Sequence, residues 1–368
     1  MITEGKTPNL LGLPQAGLEA FFADLGEKPF RARQVMQWIH QRGAGEFAVM
    51  SDLSRELRVR LSQVAEVTLP RVIVEKTSVD GTVKWLFESG AGQAVESVFI
   101  PEPGRGTLCI SSQVGCALDC AFCATGAQGF NRNLSTSEII GQVAHANRAL
   151  PRRRGGEAAV TNVVFMGMGE PLANYRNLLP ALELLVADLG YGLSRRRVTV
   201  STSGIVPHIE RLGNECNVSL AVSLHAPDDA LRDRLVPINR VHPIAELLDA
   251  CWRYAAKRAN RFITFEYVML KDVNDSPAAA ETLAKLLSNR PAKVNLIPFN
   301  PFPGSDFRRS PEDAIAGFQA RLRRHSVIAT TRKTRGEDID AACGQLAGKV
   351  SDRVRIRLSE KNKRTVTA

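Results

Sequence analysis

The chain has 368 residues and a formal net charge of +10 at pH 7, with 44% apolar and 23% charged residues, which is ordinary for a globular protein. No run approaches about twenty uninterrupted apolar residues, and the chain's start lacks a signal-peptide pattern, so we expect neither a membrane span nor secretion. Seven cysteines, an odd number with three of them clustered, argue against a secreted disulfide framework and favour a cytoplasmic protein.

Helical spacing marks the first part of the chain, residues 16–65, in the stretches LEAFFADL, ARQVMQWIHQR and LSRELRVRLSQV. Gly26, Pro29 and Gly43 interrupt this pattern, which predicts a small domain of separate helices.

A period of two follows in RVIVEKTS and TVKWLFES, which Val79-Asp80-Gly81 joins in a pattern typical of a hairpin. The next run, AVESVFIP, has the same alternation. We interpret these runs as a β extension that leads into the main domain. Residues 1–101 are therefore predicted to form a helical accessory domain plus this extension.

Glu96 lies within AVESVFIP, on the alternating face with Ala94, Val98 and Ile100. A carboxylate among apolar neighbours suits general-base work. The other face of this strand is apolar too, so an edge position without a chemical role explains the pattern equally well.

The rest of the chain alternates apolar strands with segments of helical patterning, which predicts a parallel sheet. The candidate strands are residues 107–112, 161–166, 197–203, 218–224, 262–270 and 293–299. Six to seven such units are too few for a closed eight-stranded barrel. Residues 102–345 are therefore predicted as an α/β core, either an open, partial barrel or a doubly wound sheet, with a loop at 301–311.

Cys116, Cys120 and Cys123 follow the first of these strands in a C-x3-C-x2-C pattern. Iron–sulfur clusters are held by cysteine thiolates, usually four, so a compact set of three indicates a cluster with one iron left open for a substrate. A zinc site with a distant fourth ligand is the alternative, although zinc sites usually favour paired C-x2-C or Cys/His spacings.

Polar or glycine-rich segments stand at the carboxyl ends of the second, third, fourth and sixth predicted strands, where parallel folds place their sites. Taken singly, each is a weak signal, because a GMGEP run is often a turn and a loop histidine is often only packed. Their shared edge indicates a pocket for a ligand rich in hydrogen-bonding groups. The residues in question are Gly169 and Glu170 in GMGEP, Ser201, Ser203, the segment Ser223-Leu224-His225, and Asn300.

Four cysteines remain outside the cluster of three. Cys216, before an apolar strand, and Cys251, at helical spacing from leucines, are predicted to be core residues. Cys109 in the strand TLCISS and Cys343 in AACGQ are open to either a structural or a functional role.

Basic residues concentrate in residues 346–368, where seven lysines and arginines face two acidic residues. Blocks of like charge often serve as interaction arms, and such a patch attracts a phosphate backbone without reading its sequence. Smaller clusters lie at residues 28–33, 152–154 and 195–197, and each is as compatible with a solvated surface as with RNA contact.

The run GCALDCAFCATGAQGFNRNL, with Gly167-Met168-Gly169-Glu170-Pro171 downstream, resembles radical S-adenosylmethionine (SAM) RNA adenine methylases of the RlmN and Cfr kind, and GFNRNL resembles the RlmN side. The resemblance extends over nearly the whole chain and implies a partial (βα)6 barrel. It also implies that residues 1–101 and the basic tail bind RNA. It implies that Cys116, Cys120 and Cys123 bind a [4Fe-4S] cluster. It also implies SAM as cofactor, held by Gly169, Glu170, Ser201, Ser223, Leu224, His225 and Asn300.

The same resemblance implies a reaction at carbon 2 of adenosine, an unactivated carbon that simple polar methyl transfer does not reach readily. One SAM methylates Cys343, and a second supplies a radical that activates this methyl group to attack the adenine. Glu96 is then the proton acceptor, and Cys109 forms a transient disulfide with Cys343 that releases the product. The implied substrates are 23S ribosomal RNA in its peptidyl-transferase region and, for many members, tRNA beside the anticodon.

The resemblance further implies an electron donor such as flavodoxin, and we expect a monomer. Three alternatives stay open at this point. They are methylation at carbon 8 by a Cfr-like enzyme, a radical SAM enzyme for a small molecule, and a non-catalytic zinc- and RNA-binding protein.

Overall fold

The computed structural model describes residues 7–90, 92–153, 155–257 and 262–350. Its first part is helical, as predicted, because leucine and phenylalanine recur at helical spacing and bury one face of each helix. Ser54 caps the third helix by accepting a hydrogen bond from the Leu57 N–H. The helices are α1 (Gln15–Asp24), α2 (Pro29–His40) and α3 (Arg55–Val64).

The predicted hairpin forms the next layer. Its strands pair antiparallel, and Gly81 takes a φ of +82° in the connecting turn, a conformation that glycine adopts without strain. The third strand continues into the core, since it pairs antiparallel with the strand that ends at Cys109. The β extension and the core therefore share one sheet. These strands are β1 (Val72–Thr77), β2 (Val83–Glu88), β3 (Ala94–Glu102) and β4 (Arg105–Cys109).

The core alternates strands and helices as its pattern predicts. A small hairpin that the pattern does not predict, β5 (Gln113–Gly115) with β6 (Phe130–Asn133), flanks the short helix α4 (Ala124–Ala127). The following strands are β7 (Asn162–Phe165), β8 (Val198–Thr202), β9 (Ser219–Ser223), β10 (Ile263–Met269), β11 (Ala292–Pro298) and β12 (Ile328–Thr331). The helices are α5 (Thr136–Ala149), α6 (Tyr175–Val186), α7 (Val206–Glu215), α8 (Asp229–Leu235), α9 (Ile244–Ala256), α10 (Pro277–Leu287) and α11 (Glu312–Arg324).

The described strands form a ten-stranded sheet in the order β1-β2-β3-β4-β7-β8-β9-β10-β11-β12. From β4 onward every neighbouring pair is parallel, which gives six βα units followed by β12. The two ends of this sheet do not pair within the described residues, so the barrel is open. The pattern missed β12 because its four residues, IATT, are short and half polar.

One face of the curved sheet lines a cavity of about 630 Å³. Alternate residues of successive strands point into it, and many of them are polar, including Thr107, Thr199, Thr264, Asn295 and Thr330. The other face and the helices enclose the apolar core, where Cys216 and Cys251 are buried as predicted. Among the described helices, none is long and apolar enough to cross a membrane.

Candidate active site

The three-cysteine segment is a loop held by the β5–β6 hairpin. The Cys116 N–H donates to the Gly129 carbonyl over 2.8 Å, and the Cys123 N–H donates to the Cys120 carbonyl over 3.0 Å. Gly115 has a φ of +77°, and a Cβ there would lie 2.0 Å from the Gly129 oxygen. A glycine is therefore required for the hairpin to close behind the loop.

All three thiols line one cavity at the carboxyl end of the parallel strands, about 160 Å³ in volume. Burial raises the pKa of the Cys116 thiol to about 12, and burial together with the neighbouring thiols raises the pKa of Cys120 as well. A bound metal reverses this penalty, since metal ligation deprotonates a coordinating thiol.

The donor set of three thiols around one cavity fits a [4Fe-4S] cluster with an open iron. Within the described residues, no three cysteine, histidine or acidic side chains converge closely enough to hold a single ion. A cluster does not require such convergence, because each thiolate binds a different iron.

The predicted glycine and glutamate of GMGEP stand at the same cavity, after β7. Gly169 has a φ of +95°, and a Cβ there would lie 2.4 Å from Gln113. The Glu170 carboxylate is buried and accepts hydrogen bonds from the backbone N–H groups of Leu172 at 3.1 Å and Ser203 at 2.8 Å. Burial raises its pKa, while these hydrogen bonds oppose the shift.

The predicted residues at the carboxyl ends of β8 and β9 also reach this cavity, with one exception. Ser201, Ser223 and His225 line it, whereas the Leu224 side chain is fully buried in the core. The Leu224 N–H and carbonyl are both hydrogen-bonded within the protein.

His225 has a φ of +58°, and its ring meets Phe122 edge to face at 4.4 Å. The Val268 N–H donates to Nδ1 over 2.9 Å, so Nδ1 carries no proton. Burial, together with the positive charge of Arg232, lowers the pKa of His225 to about 3. The imidazole at this edge of the cavity is therefore neutral at physiological pH.

The cysteine cavity continues into the barrel lumen. Glu266 on β10 and Arg332 directly after β12 line both cavities, as do Met166, Ile297 and Cys343. Together these spaces offer room for a ligand of ordinary cofactor size.

The sequence interpretation did not single out Glu266 or Arg332. Arg332 follows a strand that the pattern missed, so the strand-end rule could not find it. Glu266 is the one charged residue in the strand ITFEYVM, a signal that was available. One of its carboxylate oxygens accepts from Asn295 at 3.0 Å, and the other has no partner among the described residues.

Cys343 lies on a segment that crosses the cysteine loop. The Asn300 amide donates to the Cys343 carbonyl over 3.1 Å, and the Asn300 Oδ1 atom is buried without a described partner. The Ala124 N–H donates to the Gly344 carbonyl over 3.0 Å, and the Thr125 hydroxyl donates to the Leu346 carbonyl over 2.6 Å. The Cys343 thiol itself is exposed to the shared cavity.

Cys109 is the last residue of β4, and Cys343 and Arg332 are close enough to act on its thiol electrostatically. Burial raises the pKa of its thiol to about 12, the nearby Cys343 adds to this effect, and Arg332 opposes it. Cys343, in turn, is the largest cause that raises the pKa of Arg332. The structure thus gathers Cys109, Cys343 and Arg332, and both thiols are free in the described state.

Glu96 lies on β3, with its side chain between the Lys84 ammonium and the Cys343 segment. Its carboxylate is 3.1 Å from the Lys84 Nζ atom and accepts a hydrogen bond from the Ala347 N–H at 2.9 Å. The side chain is therefore buried and paired, and not isolated among apolar groups as its pattern indicated.

Two of the smaller basic clusters lie away from this site. Residues 195–197 immediately precede β8, and Arg152 and Arg153 lie between α5 and β7, so both stand toward the amino ends of parallel strands, opposite the cavity. Arg154 and most of the basic tail, residues 351–368, lie outside the described residues, while residues 346–350 continue the Cys343 segment.

Comparison with known proteins identifies this arrangement. The ribosomal RNA large subunit methyltransferase N-terminal domain family matches residues 8–67, and the radical SAM superfamily matches residues 110–283. The chain is 58% identical over 347 residues to the dual-specificity RNA methyltransferase RlmN of Alkalilimnicola ehrlichii, an alignment that covers 94% of this chain and 96% of the relative.

A crystal structure of a radical SAM methyltransferase from Sphaerobacter thermophilus matches with a TM-score of 0.86 and 45% identity, over 92% of this chain and 99% of that one. The fold, the cysteine loop and this similarity agree on an enzyme that uses SAM and a [4Fe-4S] cluster. The chain therefore belongs to the RlmN family of radical SAM RNA methyltransferases.

Proposed function

We propose that this enzyme methylates carbon 2 of an adenosine in 23S ribosomal RNA and of the adenosine 3′ of the anticodon in some tRNAs. The observation that carries the proposal is the position of Cys343 at a cavity that it shares with the three-cysteine loop, with Cys109 and Arg332 beside it. The dual-specificity name of the 58% identical relative supports both RNA classes.

Cys116, Cys120 and Cys123 are the residues that would hold the cluster. Gly169 and Glu170, with Ser201, Ser223, His225 and Asn300, are those proposed to hold SAM, and Leu224, whose backbone is bonded within the protein, is proposed to fix the segment between Ser223 and His225. When bound, SAM and the cluster would supply a methyl cation equivalent and a hydrogen-abstracting radical. The neutral His225 ring and the backbone-bonded Glu170 leave the pocket pre-organised before the cofactor enters.

The protein's own residues then perform the transfer. Cys343 Sγ would lose its thiol proton and accept the methyl group of one SAM, with S-adenosylhomocysteine as the leaving group. This methyl group would then give one hydrogen atom to the radical derived from a second SAM and form a carbon–carbon bond to adenine C2. After one electron has passed from this adduct to the oxidised cluster, Glu96 would take the C2 proton. The Cys109 thiolate next attacks Cys343 Sγ, so that an S–S bond forms and the S–C bond breaks, and the released carbon takes a proton to become the methyl group.

We propose that Arg332 assists the attack of Cys109 on Cys343. The pKa of Cys109, at about 12, keeps the thiol protonated, and the adjacent guanidinium favours the thiolate that must attack. The disulfide must then be reduced by two electrons. We propose an electron donor such as flavodoxin, and we propose that the enzyme acts as a monomer in the cytoplasm.

A Cfr-like reaction at carbon 8 would use the same cysteines and is the second candidate. The test is an anaerobic incubation of reconstituted enzyme with SAM, reductant and protein-free ribosomal RNA, followed by nucleoside mass spectrometry against 2-methyl- and 8-methyladenosine standards. The 2-methyl product is expected. The 8-methyl product would overturn the positional assignment, and 5′-deoxyadenosine without either methylated base would overturn the substrate.

A further inference from the structure

Arg232 on α8 is fully buried and joins the carboxyl ends of two strands. Its Nη2 atom donates to the Ser203 carbonyl over 2.7 Å and to the Ser223 carbonyl over 3.0 Å, and its Nε atom donates to the Leu224 carbonyl over 3.2 Å. These acceptors follow or end β8 and β9. The guanidinium therefore lies directly behind the backbone that forms one wall of the cofactor cavity.

The buried Arg232 guanidinium belongs to none of the ion pairs among the described residues. Its remaining hydrogen bond goes from Nη1 to the neutral Asn239 amide oxygen at 2.8 Å. The nearby acids, Asp229 and Asp233, instead accept hydrogen bonds from the Asn239 amide group. A buried cation without a paired anion is costly, so its retention needs a reason.

The cysteine loop is attached to the same helix and the same strand end. The Ala121 N–H donates to the Leu235 carbonyl at the end of α8 over 3.1 Å. The Cys120 Sγ atom lies 3.9 Å from the Ser203 hydroxyl, and Cys120 packs against the apolar cluster that includes Leu235. The buried guanidinium is thus linked to the cluster ligand Cys120 through α8 and through the end of β8.

We propose that Arg232 is a positioning residue that fixes the ends of β8 and β9 and whose buried charge raises the reduction potential of the cluster. Three thiolates bring negative charge to the loop, and reduction adds one more. A fixed cation in a low-dielectric interior favours the more negative, reduced state. In this step one electron passes from a low-potential external donor to the [4Fe-4S] cluster, and no bond breaks and no proton moves.

The test compares two arginines on one helix. Arg232→Met removes the buried charge, while Arg234→Met removes an exposed charge two residues away as the matched control. After anaerobic reconstitution, the reduced cluster is measured by electron paramagnetic resonance at a series of solution potentials, without RNA.

Arg232→Met is expected to lower the ratio of reduced to oxidised cluster about tenfold at a fixed potential, equivalent to a midpoint shift of roughly 59 mV for one electron. Arg234→Met and Arg232→Lys, which keeps the charge, are expected to stay within about twofold of the parent. A parent-like midpoint potential in Arg232→Met would overturn the proposal.

A second variant covers the case in which Arg232→Met does not fold or does not hold its cluster. The double change Asn239→Asp with Asp233→Asn conserves the net charge and moves a carboxylate into contact with the guanidinium. It is expected to lower the reduced fraction in the same direction, and an unchanged midpoint potential would overturn the proposal. The inference depends on the cofactor set and not on the RNA substrate, so a failed carbon-2 assignment would leave this readout intact.

Discussion

Glu96 contacts the Cys343 segment by accepting a hydrogen bond from the Ala347 N–H, and we propose it as the proton acceptor of the reaction. The change Glu96→Gln keeps an acceptor oxygen but removes the base. We expect methylation of Cys343 to be retained and free methylated RNA to fall by at least about a hundredfold, with a covalent protein–RNA species accumulating.

Denaturing gels of the reaction and mass spectrometry of the Cys343 peptide measure these two quantities. Glu102→Gln, an exposed carboxylate at the other end of the same strand, is the control. Near-normal release of methylated RNA by Glu96→Gln would remove Glu96 from the role of base.

His40 provides a test of stability that is independent of the active site. Burial lowers its pKa to about 4, and neither ring nitrogen has a described hydrogen-bond partner. The folded pKa is below the unfolded value of 6.5, so the contribution of His40 is complete above pH 6.5 and is lost as the pH falls toward 4.

We expect His40→Leu to reduce the pH dependence of the free energy of unfolding in that window by up to about 1.4 kcal/mol per pH unit. Urea denaturation of the cluster-free protein at several pH values measures this slope. An unchanged slope in the variant would contradict the assignment.

The sequence pattern could identify candidate site residues of two kinds, those with a recognisable spacing and those at the carboxyl end of a predicted strand. Cys116, Cys120 and Cys123 carry such a signal in their spacing, and Ser223 and His225 carry it by following a predicted strand. Roles for Cys109 and Cys343 came from resemblance, because an isolated cysteine has no local signature. The ion pair of Glu96 with Lys84 joins two different strands, and no local pattern encodes it.

At the scale of elements, the segment from Cys343 to Lys349 acts as a strap across the cysteine loop. Three contacts hold it in place. The Thr125 hydroxyl donates to the Leu346 carbonyl, and the Asn300 amide donates to the Cys343 carbonyl. Lys349 also exchanges backbone hydrogen bonds with Ala94 of β3. The hydrophobic pattern of the sequence did not predict this arrangement, because the strap has no regular secondary structure and its partners are distant in sequence.

Thr125→Val tests the strap, since it removes the hydroxyl that donates to Leu346 at nearly constant volume. We expect a local loss of about 1 kcal/mol and faster amide hydrogen exchange in residues 343–349, with slower product formation. Thr136→Val removes a comparable bond to the Asn177 carbonyl elsewhere and is the control. Equal exchange in the strap of both variants would show that Thr125 does not hold it.

At the scale of the whole molecule, charge must guide a polyanion to the carboxyl edge of the sheet. Arg152, Arg153 and residues 195–197 stand at the opposite edge, whereas residues 346–350, where the basic segment begins, lie beside the site itself. We therefore expect residues 351–368 to contribute more to RNA affinity than either cluster.

Deletion of residues 351–368 removes six basic and two acidic residues. The slope of log affinity against log salt is expected to become shallower by about 2 to 4, while changing residues 195–197 to alanine leaves it nearly unchanged. Fluorescence anisotropy with a labelled RNA hairpin measures both slopes. A larger effect from the alanine variant than from the deletion would contradict this view of the approach.

The overall fold was largely predictable, because the alternation of apolar strands and helices extends from Cys109 to Phe299 and six units cannot close a barrel. Two features were not predictable from pattern. The β extension and the core share one sheet because β3 pairs with β4, and this pairing has no signal in the local sequence. Strand β12 is too short and too polar to be recognised from its pattern.

We propose that Cys343 carries the transferred carbon and that Cys109 releases it. The most direct measurement is a gel-shift and mass analysis of Cys109→Ala after incubation with SAM, reductant and RNA. We expect a covalent RNA adduct at Cys343 that is absent from the double variant Cys109→Ala with Cys343→Ala. Release of free methylated RNA by Cys109→Ala at the parent rate would contradict it.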